Sequence, residues 1–149
     1  EIAISTARAV RLFGFDPKVA FVSHSTFGQP LTSRTKHIRK AVDILKEKKV
    51  DFEFDGDMQP DVALNPEYEE LYPFSKIVGK ANILIMPGQH SAAISYKMMK
   101  TLGDTKVIGP LLIGLGLPIE IAPLRSSTSE LINLASIAAY SADVIDYKK

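Results

Sequence analysis

Hydrophobic and polar positions along this chain follow two different periods, which predict strands and helices in alternation. Short apolar runs such as Val19–Val22 are typical of strands that are buried on both faces of a sheet. The pattern predicts strands at Lys18–His24, Val50–Phe54, Asn82–Met86, Val107–Leu112 and Pro118–Ala122. The second of these ends at Asp55-Gly56-Asp57, whose residue types favour a polar turn.

Segments with a period near 3.6 residues lie between these strands. In the clearest one, Ile38, Ala41, Val42 and Leu45 form a single apolar stripe. The predicted helices are Ile2–Phe15, a segment capped by Thr32 or Ser33, Pro60–Leu71 with a break near Asn65-Pro66, Ser91–Leu102 with Ser91 as N-cap, and a final helix from Ser127 or Thr128 to about Tyr140. The alternation predicts an α/β fold, with a mainly parallel sheet and helices on both faces.

Composition narrows the class of protein without identifying a function. The chain has 149 residues, of which 46% are hydrophobic and 23% charged, as expected for one folded domain. A net charge of +1 does not favour a nucleic-acid partner. The sequence has no cysteine, no long apolar run and, because Arg8 and Arg11 interrupt its first segment, no signal peptide. We therefore expect a soluble cytoplasmic protein without disulfides or a membrane partner.

Polar residues follow several of the predicted strands at the point where each strand ends. Ser23–Pro30, Pro87–Ser91 and Pro123–Ser129 each lead into a predicted helix. Ligands of open α/β sheets gather outside the carboxyl ends of the strands, and helix N-termini favour phosphate or carboxylate groups. These three segments are therefore the places where an anionic ligand is expected.

The first segment carries the most suggestive side chains. Hydroxyls of Ser23, Ser25 and Thr26 could donate to an oxyanion, Gly28 allows a ligand to approach the backbone, and Arg34 follows inside the helix. The segment is neither a P-loop nor a dinucleotide-binding fingerprint, because Gly28 stands alone. From spacing alone, an anion site and a capped surface turn both remain open.

Other polar residues have structural explanations that we prefer. His24 and His90 could share a metal or a catalytic role, but hydrogen-bonded or solvent-facing histidines are commoner. Asp55, Asp57 and Asp61 resemble a Mg²⁺ site in outline, although capping and solvated-loop roles are expected. No catalytic triad or pair of carboxylates is indicated by spacing, so the sequence assigns neither a catalytic residue nor a metal site.

Four motifs in order along the chain resemble the phosphotransacetylase (phosphate acetyl/butyryltransferase) family. They lie at Lys18–Gly28, at Val50–Gln59 with Asp61 and Ala63, at Lys80–Pro87, and at Val107–Pro110 with Gly114, Leu115 and Pro118. The resemblance implies the C-terminal half of a two-lobed domain, similar to isocitrate and isopropylmalate dehydrogenases in fold. Its cleft would take coenzyme A and an acyl phosphate, and such domains commonly form dimers.

Finer details resemble one branch of this family. Ser23-His24-Ser25, Tyr72-Pro73-Phe74 and Met86-Pro87 with His90-Ser91 are similar to the region at the C-terminus of NADP-dependent malic enzymes. That resemblance implies a regulatory domain that binds acetyl-CoA and supports a homo-oligomer. NADP and Mg²⁺ or Mn²⁺ would belong to a separate malic domain, and no cofactor is expected in this chain.

One departure from the family pattern argues against catalysis. Active phosphotransacetylases carry a Ser-Arg pair after the last strand and an Asp near the start of the final helix. Pro123-Leu124 and Glu130 stand at those positions here, and Arg125 could replace the arginine only if the loop shifts its register. The alternatives to a regulatory domain are an active phosphate acyltransferase and a purely structural dimerisation domain.

The resemblance and the residue types together suggest a site for an acyl-CoA or acyl phosphate. Ser25, Thr26 and Gly28 are expected at the phosphate or acyl end, and His90 and Ser91 on the opposite side of the cleft. Arg34 and Lys36 would attract the anionic parts of coenzyme A by charge. The full set of expected ligand-binding residues is Ser23, Ser25, Thr26, Gly28, Arg34, Lys36, His90, Ser91 and Arg125.

Overall fold

The computed structural model describes residues 1–103 and 106–144, which fall into two compact units. The first unit is Glu1–Ser95, and the second begins at Tyr96. The helices are α1 (Ile2–Leu12), α2 (Ser33–Lys48), α3 (Pro60–Leu64), α4 (Gln89–Leu102) and α5 (Thr128–Val144), with a short 3-10 helix at Pro66–Glu69. The strands are β1 (Lys18–Val22), β2 (Glu53–Met58) and β3 (Ile83–Ile85).

The first unit is built on a parallel sheet in the order β2-β1-β3, which confirms the predicted α/β class. Side chains of β1 alternate between two apolar clusters. One contains Val19 and Phe21 with residues of α1 and α2, namely Ala3, Ala7, Val42 and Leu45. The other contains Ala20 with Met58, Ala63, Ile77 and Ala81. Helices therefore cover both faces, as the alternation of elements predicts.

Helix α2 begins and ends at residues whose chemistry favours those ends. Thr32 is the N-cap: its Oγ1 accepts the Thr35 N–H at 3.3 Å, and the Thr32 N–H donates to Thr35 Oγ1 at 2.8 Å. This reciprocal arrangement satisfies donors that a helix start otherwise leaves free. Lys49 ends the helix in a left-handed conformation with φ of 49°. The predicted cap at Thr32 is confirmed.

Strand β2 lies further along the chain than the sequence predicts. It covers Glu53–Met58 instead of Val50–Phe54, so Asp55, Gly56 and Asp57 are inside the strand and buried. A Cβ on Gly56 would lie 2.6 Å from the carbonyl oxygen of Phe21, so glycine is what lets the backbones of β1 and β2 approach here. The interpretation of these aspartates as a solvated loop is wrong, because sheet packing overrides their preference for turns.

Two predicted strands do not form within the described part of the chain. Val107–Leu112 and Pro118–Ala122 have no regular structure, and Ile108 and Ile119 stay 49% and 50% exposed. The Leu112 N–H donates to a Glu120 carboxylate oxygen at 3.1 Å, and not to a strand. An apolar extended segment becomes a strand only when a neighbouring ladder accepts its hydrogen bonds, and no described segment supplies one.

Helix α4 begins two residues earlier than predicted. Gln89 is its first residue, and Ser91 lies in the first turn, where its hydroxyl donates to the Gly88 carbonyl at 2.8 Å. The expectation that Ser91 is the N-cap is therefore wrong. The predicted apolar face of α4, which includes Ile94 and Met98, is exposed in the described structure.

Helix α5 begins after the predicted cap Ser127. The Ser127 hydroxyl accepts the Glu130 N–H at 3.3 Å, and Leu134 is the buried residue of the helix. The helix has 17 residues. None of the helices in residues 1–103 and 106–144 combines the length and the apolar character that crossing a membrane requires.

Candidate functional site

Hydrogen bonds to one aspartate of β2, Asp57, hold the Ser23–Pro30 loop against the strand. Asp57 Oδ2 accepts hydrogen bonds from the Ser25 hydroxyl and, at 3.3 Å, from the Gly28 N–H. The carbonyl oxygen of Asp57 accepts the Phe27 N–H at 2.6 Å. Ser25 and Asp57 are both completely buried, and Asp57 Oδ1 has no hydrogen-bond partner among the described residues. The sequence gives no direct signal of this role, because the partners are 32 residues apart.

Other polar groups of the loop also form hydrogen bonds within the protein. Ser23 and Thr26 are buried; Ser23 Oγ accepts the Ser25 N–H at 3.3 Å, and Thr26 Oγ1 accepts the Gln59 N–H at 3.2 Å. The Gln59 side chain donates to the His24 carbonyl at 3.0 Å. In this arrangement the three hydroxyls of Ser23, Ser25 and Thr26 face inward. Their burial therefore keeps these hydroxyls from contact with an oxyanion in this arrangement.

Arg39 and an aromatic cluster, neither of them among the predicted ligand-binding residues, pack against the outer side of the Ser23–Pro30 loop. Gly28 has φ of +86°, and a Cβ there would lie 2.4 Å from Arg39 Nη1, so the arginine packs directly over the glycine. The Phe27 ring contacts Phe74 and Tyr72 at centroid distances of 4.8 and 5.4 Å. Gly28 therefore makes room for a side chain of the protein in this structure.

A groove of about 980 Å³ opens beside the carboxyl end of β3, entirely within the first unit. We call it the carboxyl-end groove. Its polar residues are Glu1, Arg34, His37, Lys48, Gln89, His90 and Ser91, and its apolar floor includes Ile38, Ala41, Ile44, Leu45, Ile85, Met86 and Pro87. Of the predicted ligand-binding residues, it brings together Arg34, His90 and Ser91.

The other predicted residues lie elsewhere. The Ser23–Pro30 loop, which contains the predicted residues Ser23, Ser25, Thr26 and Gly28, does not line the groove. Lys36 is an exposed residue of α2 and also lies outside the groove. Arg125 is exposed in the second unit and forms no hydrogen bond or ion pair with the described residues.

The polar side of the groove can bind an anion. The Arg34 guanidinium has no hydrogen-bond or ionic partner among the described residues, so its charge is available to a ligand. His37 lines the same side of the groove, but its Nδ1 already donates to the Ser33 carbonyl at 2.8 Å. At the start of α4 the backbone N–H groups of Gln89, His90 and Ser91 have no acceptor one turn back in the helix. These groups favour phosphate or carboxylate beside an apolar floor.

No metal site accompanies this groove in the described structure. Within residues 1–103 and 106–144, no three His, Asp or Glu side chains are grouped so that they could hold an ion. Asp55, one of the acidic cluster, accepts the Gly56 N–H and the Lys76 N–H at 2.9 Å each. His90 lines the groove and His24 does not.

Both carboxylate oxygens of Glu130, in the second unit, accept hydrogen bonds. Oε1 accepts the Lys100 ammonium at 2.8 Å, and Oε2 accepts the Ser127 N–H at 2.8 Å and its hydroxyl at 3.0 Å. The hydrogen bond from Lys100, followed by those from Ser127, lowers the pKa of Glu130 to about 2. Glu130 stands where the family resemblance places an aspartate. Here its carboxylate completes the cap of α5.

Protonating Glu130 should weaken the α5 cap in a defined pH range. The folded-state pKa of about 2 lies below the ordinary value of 4.5, so the contribution of Glu130 to stability is present above about pH 4.5 and is lost as pH falls towards 2. The melting temperatures of the wild type and Glu130→Gln should therefore differ at pH 7 and converge between pH 4.5 and 2. Glu47→Gln on α2 is the control. A constant difference across this range would contradict the assignment.

Comparison with known sequences identifies the family. The profile of phosphate acetyl/butaryl transferase matches residues 1–139 of the chain. The chain belongs to this family. A phosphotransacetylase from Streptococcus pyogenes, whose structure is solved, superposes with a TM-score of 0.88 at 35% identity, over 95% of this chain and 44% of that one. The predicted resemblance to the family is confirmed.

Relatives within the family include two kinds of enzyme. The NADP-dependent malic enzyme of Rhizobium meliloti is 49% identical over 95% of this chain, which corresponds to 19% of the malic enzyme. The phosphate acetyltransferase of Bacillus subtilis is 36% identical over 95% of this chain and 44% of that enzyme. The chain thus spans less than half the length of these relatives.

Proposed function

We propose that this chain binds an acyl-CoA or acyl phosphate in its carboxyl-end groove, as the regulatory domain of an NADP-dependent malic enzyme. The observation that carries the proposal is the groove itself. It places the Arg34 guanidinium, which has no partner among the described residues, and the start of α4 beside an apolar floor. This combination suits a ligand with phosphate groups at one end and an apolar acyl group at the other.

The proposed role is regulatory because the residues at two positions of the family pattern in the second unit, Leu124 and Glu130, do not suit acyl transfer. Glu130, with a pKa of about 2, is a weak base at neutral pH and already accepts three hydrogen bonds. Leu124, at the position of the family's arginine, is a fully exposed apolar side chain. A guanidinium that would stabilise developing charge is therefore missing from that position.

Malate oxidation would belong to another domain of the parent protein, together with NADP and Mg²⁺ or Mn²⁺. The similarity to the Rhizobium meliloti malic enzyme supports this proposal, since the matched region is 19% of that enzyme. Acetyl-CoA would regulate that activity by binding one state of the protein more tightly than another. We further propose a cytoplasmic homo-oligomer.

A second candidate is an active phosphate acyltransferase that moves an acetyl or butyryl group between coenzyme A and phosphate. The observation in its favour is the similarity to the Bacillus subtilis phosphate acetyltransferase, which covers the same 95% of this chain. Arg125 would then have to supply the missing guanidinium. A structural dimerisation domain without a working ligand site is the third candidate.

Arg34→Gln should weaken the binding of acetyl-CoA about tenfold, because it removes a charge-assisted hydrogen-bond donor from the groove. Isothermal titration calorimetry of the chain with acetyl-CoA provides the measurement. Lys40→Gln removes the same charge from another exposed position of α2, one that does not line the groove, and should leave the affinity within about twofold. Equal losses in both variants would indicate charge attraction without a site.

Turnover separates the regulatory role from catalysis. We expect no phosphate-dependent release of acetyl groups from acetyl-CoA by this chain. Turnover that Arg125→Ala abolishes would establish the acyltransferase alternative instead. If acetyl-CoA and free coenzyme A both fail to bind at millimolar concentration, the dimerisation alternative stands.

A further inference from the structure

A second cavity, of about 340 Å³, lies within the first unit and shares no lining residue with the carboxyl-end groove. Helix α2 contributes Arg39 and Lys46 to its wall, and the chain after the 3-10 helix contributes Phe74 and Lys76. Phe27 of the Ser23–Pro30 loop also lines it. We call this cavity the aromatic pocket. Its volume falls within the range of about 300–1,000 Å³ that is typical of small-molecule sites.

The aromatic pocket has positive charge that the protein itself does not use. Its two acidic residues are occupied: Asp43 forms an ion pair with Lys46 at 2.8 Å, and both oxygens of Asp55 accept backbone N–H groups at 2.9 Å. The guanidinium of Arg39 and the ammonium of Lys76 form no hydrogen bond or ion pair with the described residues. These two cations are therefore available to an anionic ligand.

An exposed aromatic ring lies in the same cavity as these cations. Phe74 keeps 63% of its surface exposed, although its ring contacts the Phe27 ring edge-on at a centroid distance of 4.8 Å. Phe27 has φ of 49°, a conformation that a bulky residue rarely adopts, and backbone strain of this kind is concentrated at ligand sites. The exposed Phe74 ring can stack with a flat aromatic ligand.

We propose that the aromatic pocket binds a mononucleotide, with its base stacked on Phe74 and its phosphate held by Arg39 and Lys76. Every base has a π-face and can stack on an aromatic side chain. Arginine offers a phosphate two parallel hydrogen bonds, and lysine adds a point charge. The pocket is separate from the proposed acyl-CoA site, so this inference does not depend on the proposed function.

Calorimetric titration of the 149-residue chain with AMP, adenosine and ribose 5-phosphate tests the inference. AMP should bind at least about tenfold more tightly than either of the other two, because adenosine lacks the phosphate and ribose 5-phosphate lacks the base. Adenosine or ribose 5-phosphate that binds as tightly as AMP would overturn the proposal, since one of the two contacts would then contribute nothing.

Variants locate the two contacts. Arg39→Gln should weaken AMP binding about tenfold. Phe74→Ala should weaken it at least about fivefold and leave the affinity for ribose 5-phosphate within about twofold, whereas Phe74→Tyr should keep the affinity for AMP. Lys40→Gln and Phe15→Ala, which change exposed residues outside the pocket, are the matched controls. Equal losses in the variants and their controls would overturn the inference.

Coenzyme A also contains an adenine nucleotide, so the source of the ligand must be separated. Arg34→Gln, in the carboxyl-end groove, should leave AMP binding unchanged, and Arg39→Gln should leave acetyl-CoA binding unchanged. A loss of AMP affinity in Arg34→Gln would place AMP in the groove and overturn the inference. A loss of acetyl-CoA affinity in Arg39→Gln would show that the pocket takes the adenine end of coenzyme A instead. If AMP fails to bind at millimolar concentration while acetyl-CoA binds, this inference fails and the proposed function stands.

Discussion

Gly56→Ala is expected to destabilise the first unit by about 3 kcal/mol or more. The new Cβ would lie 2.6 Å from the Phe21 carbonyl oxygen and 2.8 Å from the Phe21 Cβ, and both atoms belong to the central strand. Gly56 also has φ of +143°, which an alanine rarely adopts. Backbone of β1 or β2 must move to relieve the contact. Urea denaturation followed by far-UV circular dichroism measures the loss.

Gly116→Ala is the matched control for this change. Gly116 has no heavy atom within 4 Å of the position of a Cβ, and its φ does not lie in the range that favours glycine. The free energy of unfolding should change by less than about 0.5 kcal/mol. Similar denaturation midpoints for Gly56→Ala and the wild type would show that β1 and β2 do not approach each other as described.

Asp57→Ala is expected to cost about 3 kcal/mol, because it leaves two donors of the Ser23–Pro30 loop without an acceptor. These are the Ser25 hydroxyl and the Gly28 N–H, both of which donate to Asp57 Oδ2. A buried donor without an acceptor costs about 1–3 kcal/mol. The loss is limited because burying the Asp57 carboxylate, whose Oδ1 has no partner in the described part of the chain, itself costs free energy, and the variant removes that cost.

Hydrogen exchange locates this effect within the molecule. The amide of Gly28 should lose protection in Asp57→Ala, because it donates to the Asp57 carboxylate, whereas the Phe27 amide donates to the Asp57 backbone carbonyl, which the variant keeps. Asp16→Ala changes an exposed aspartate whose side chain forms no hydrogen bond within the described residues, and it should alter stability by less than about 0.5 kcal/mol. Unchanged protection at Gly28 would contradict the role of the Asp57 carboxylate.

Elements determined by neighbouring residues were predictable from the sequence. The cap of α2 needs only Thr32 and Thr35, three residues apart, and the apolar stripe that ends at Leu45 follows the helical period. Strand β1 was predictable because four consecutive apolar residues are typical of a buried parallel strand. In these segments, local preference and tertiary packing favour the same structure.

Elements that depend on distant partners were not predictable in this way. Asp55-Gly56-Asp57 has the composition of a turn, yet it lies in β2 because Gly56 packs on Phe21. The apolar pattern of Val107–Leu112 indicates a strand. A strand also needs a neighbouring strand to accept its hydrogen bonds, and the pattern within one segment does not show whether that neighbour is present. The same limit explains the position of β2 along the chain.

The candidate site was predictable in part. Helix-start and charge arguments pointed to Arg34, His90 and Ser91, which the groove brings together. The hydroxyls of the Ser23–Pro30 loop suggested an anion site because their residue types suit one, but residue type does not reveal that Ser25 donates to Asp57. The apolar floor was visible only as the helical stripe of α2. Its exposure depends on how α1, α2 and β3 end, which is a tertiary property.

The central position of β1 imposes an order on the synthesis of this protein. Both ladders of the sheet use β1, which pairs with β2 on one side and with β3 on the other. A nascent chain emerges from its N-terminus, so β1 leaves the ribosome well before either partner. During that interval its apolar residues and unpaired backbone groups are open to wrong pairing with other chains. Chaperone binding and aggregation during translation should therefore be concentrated at Lys18–Val22, and both should end once Ile85 has emerged.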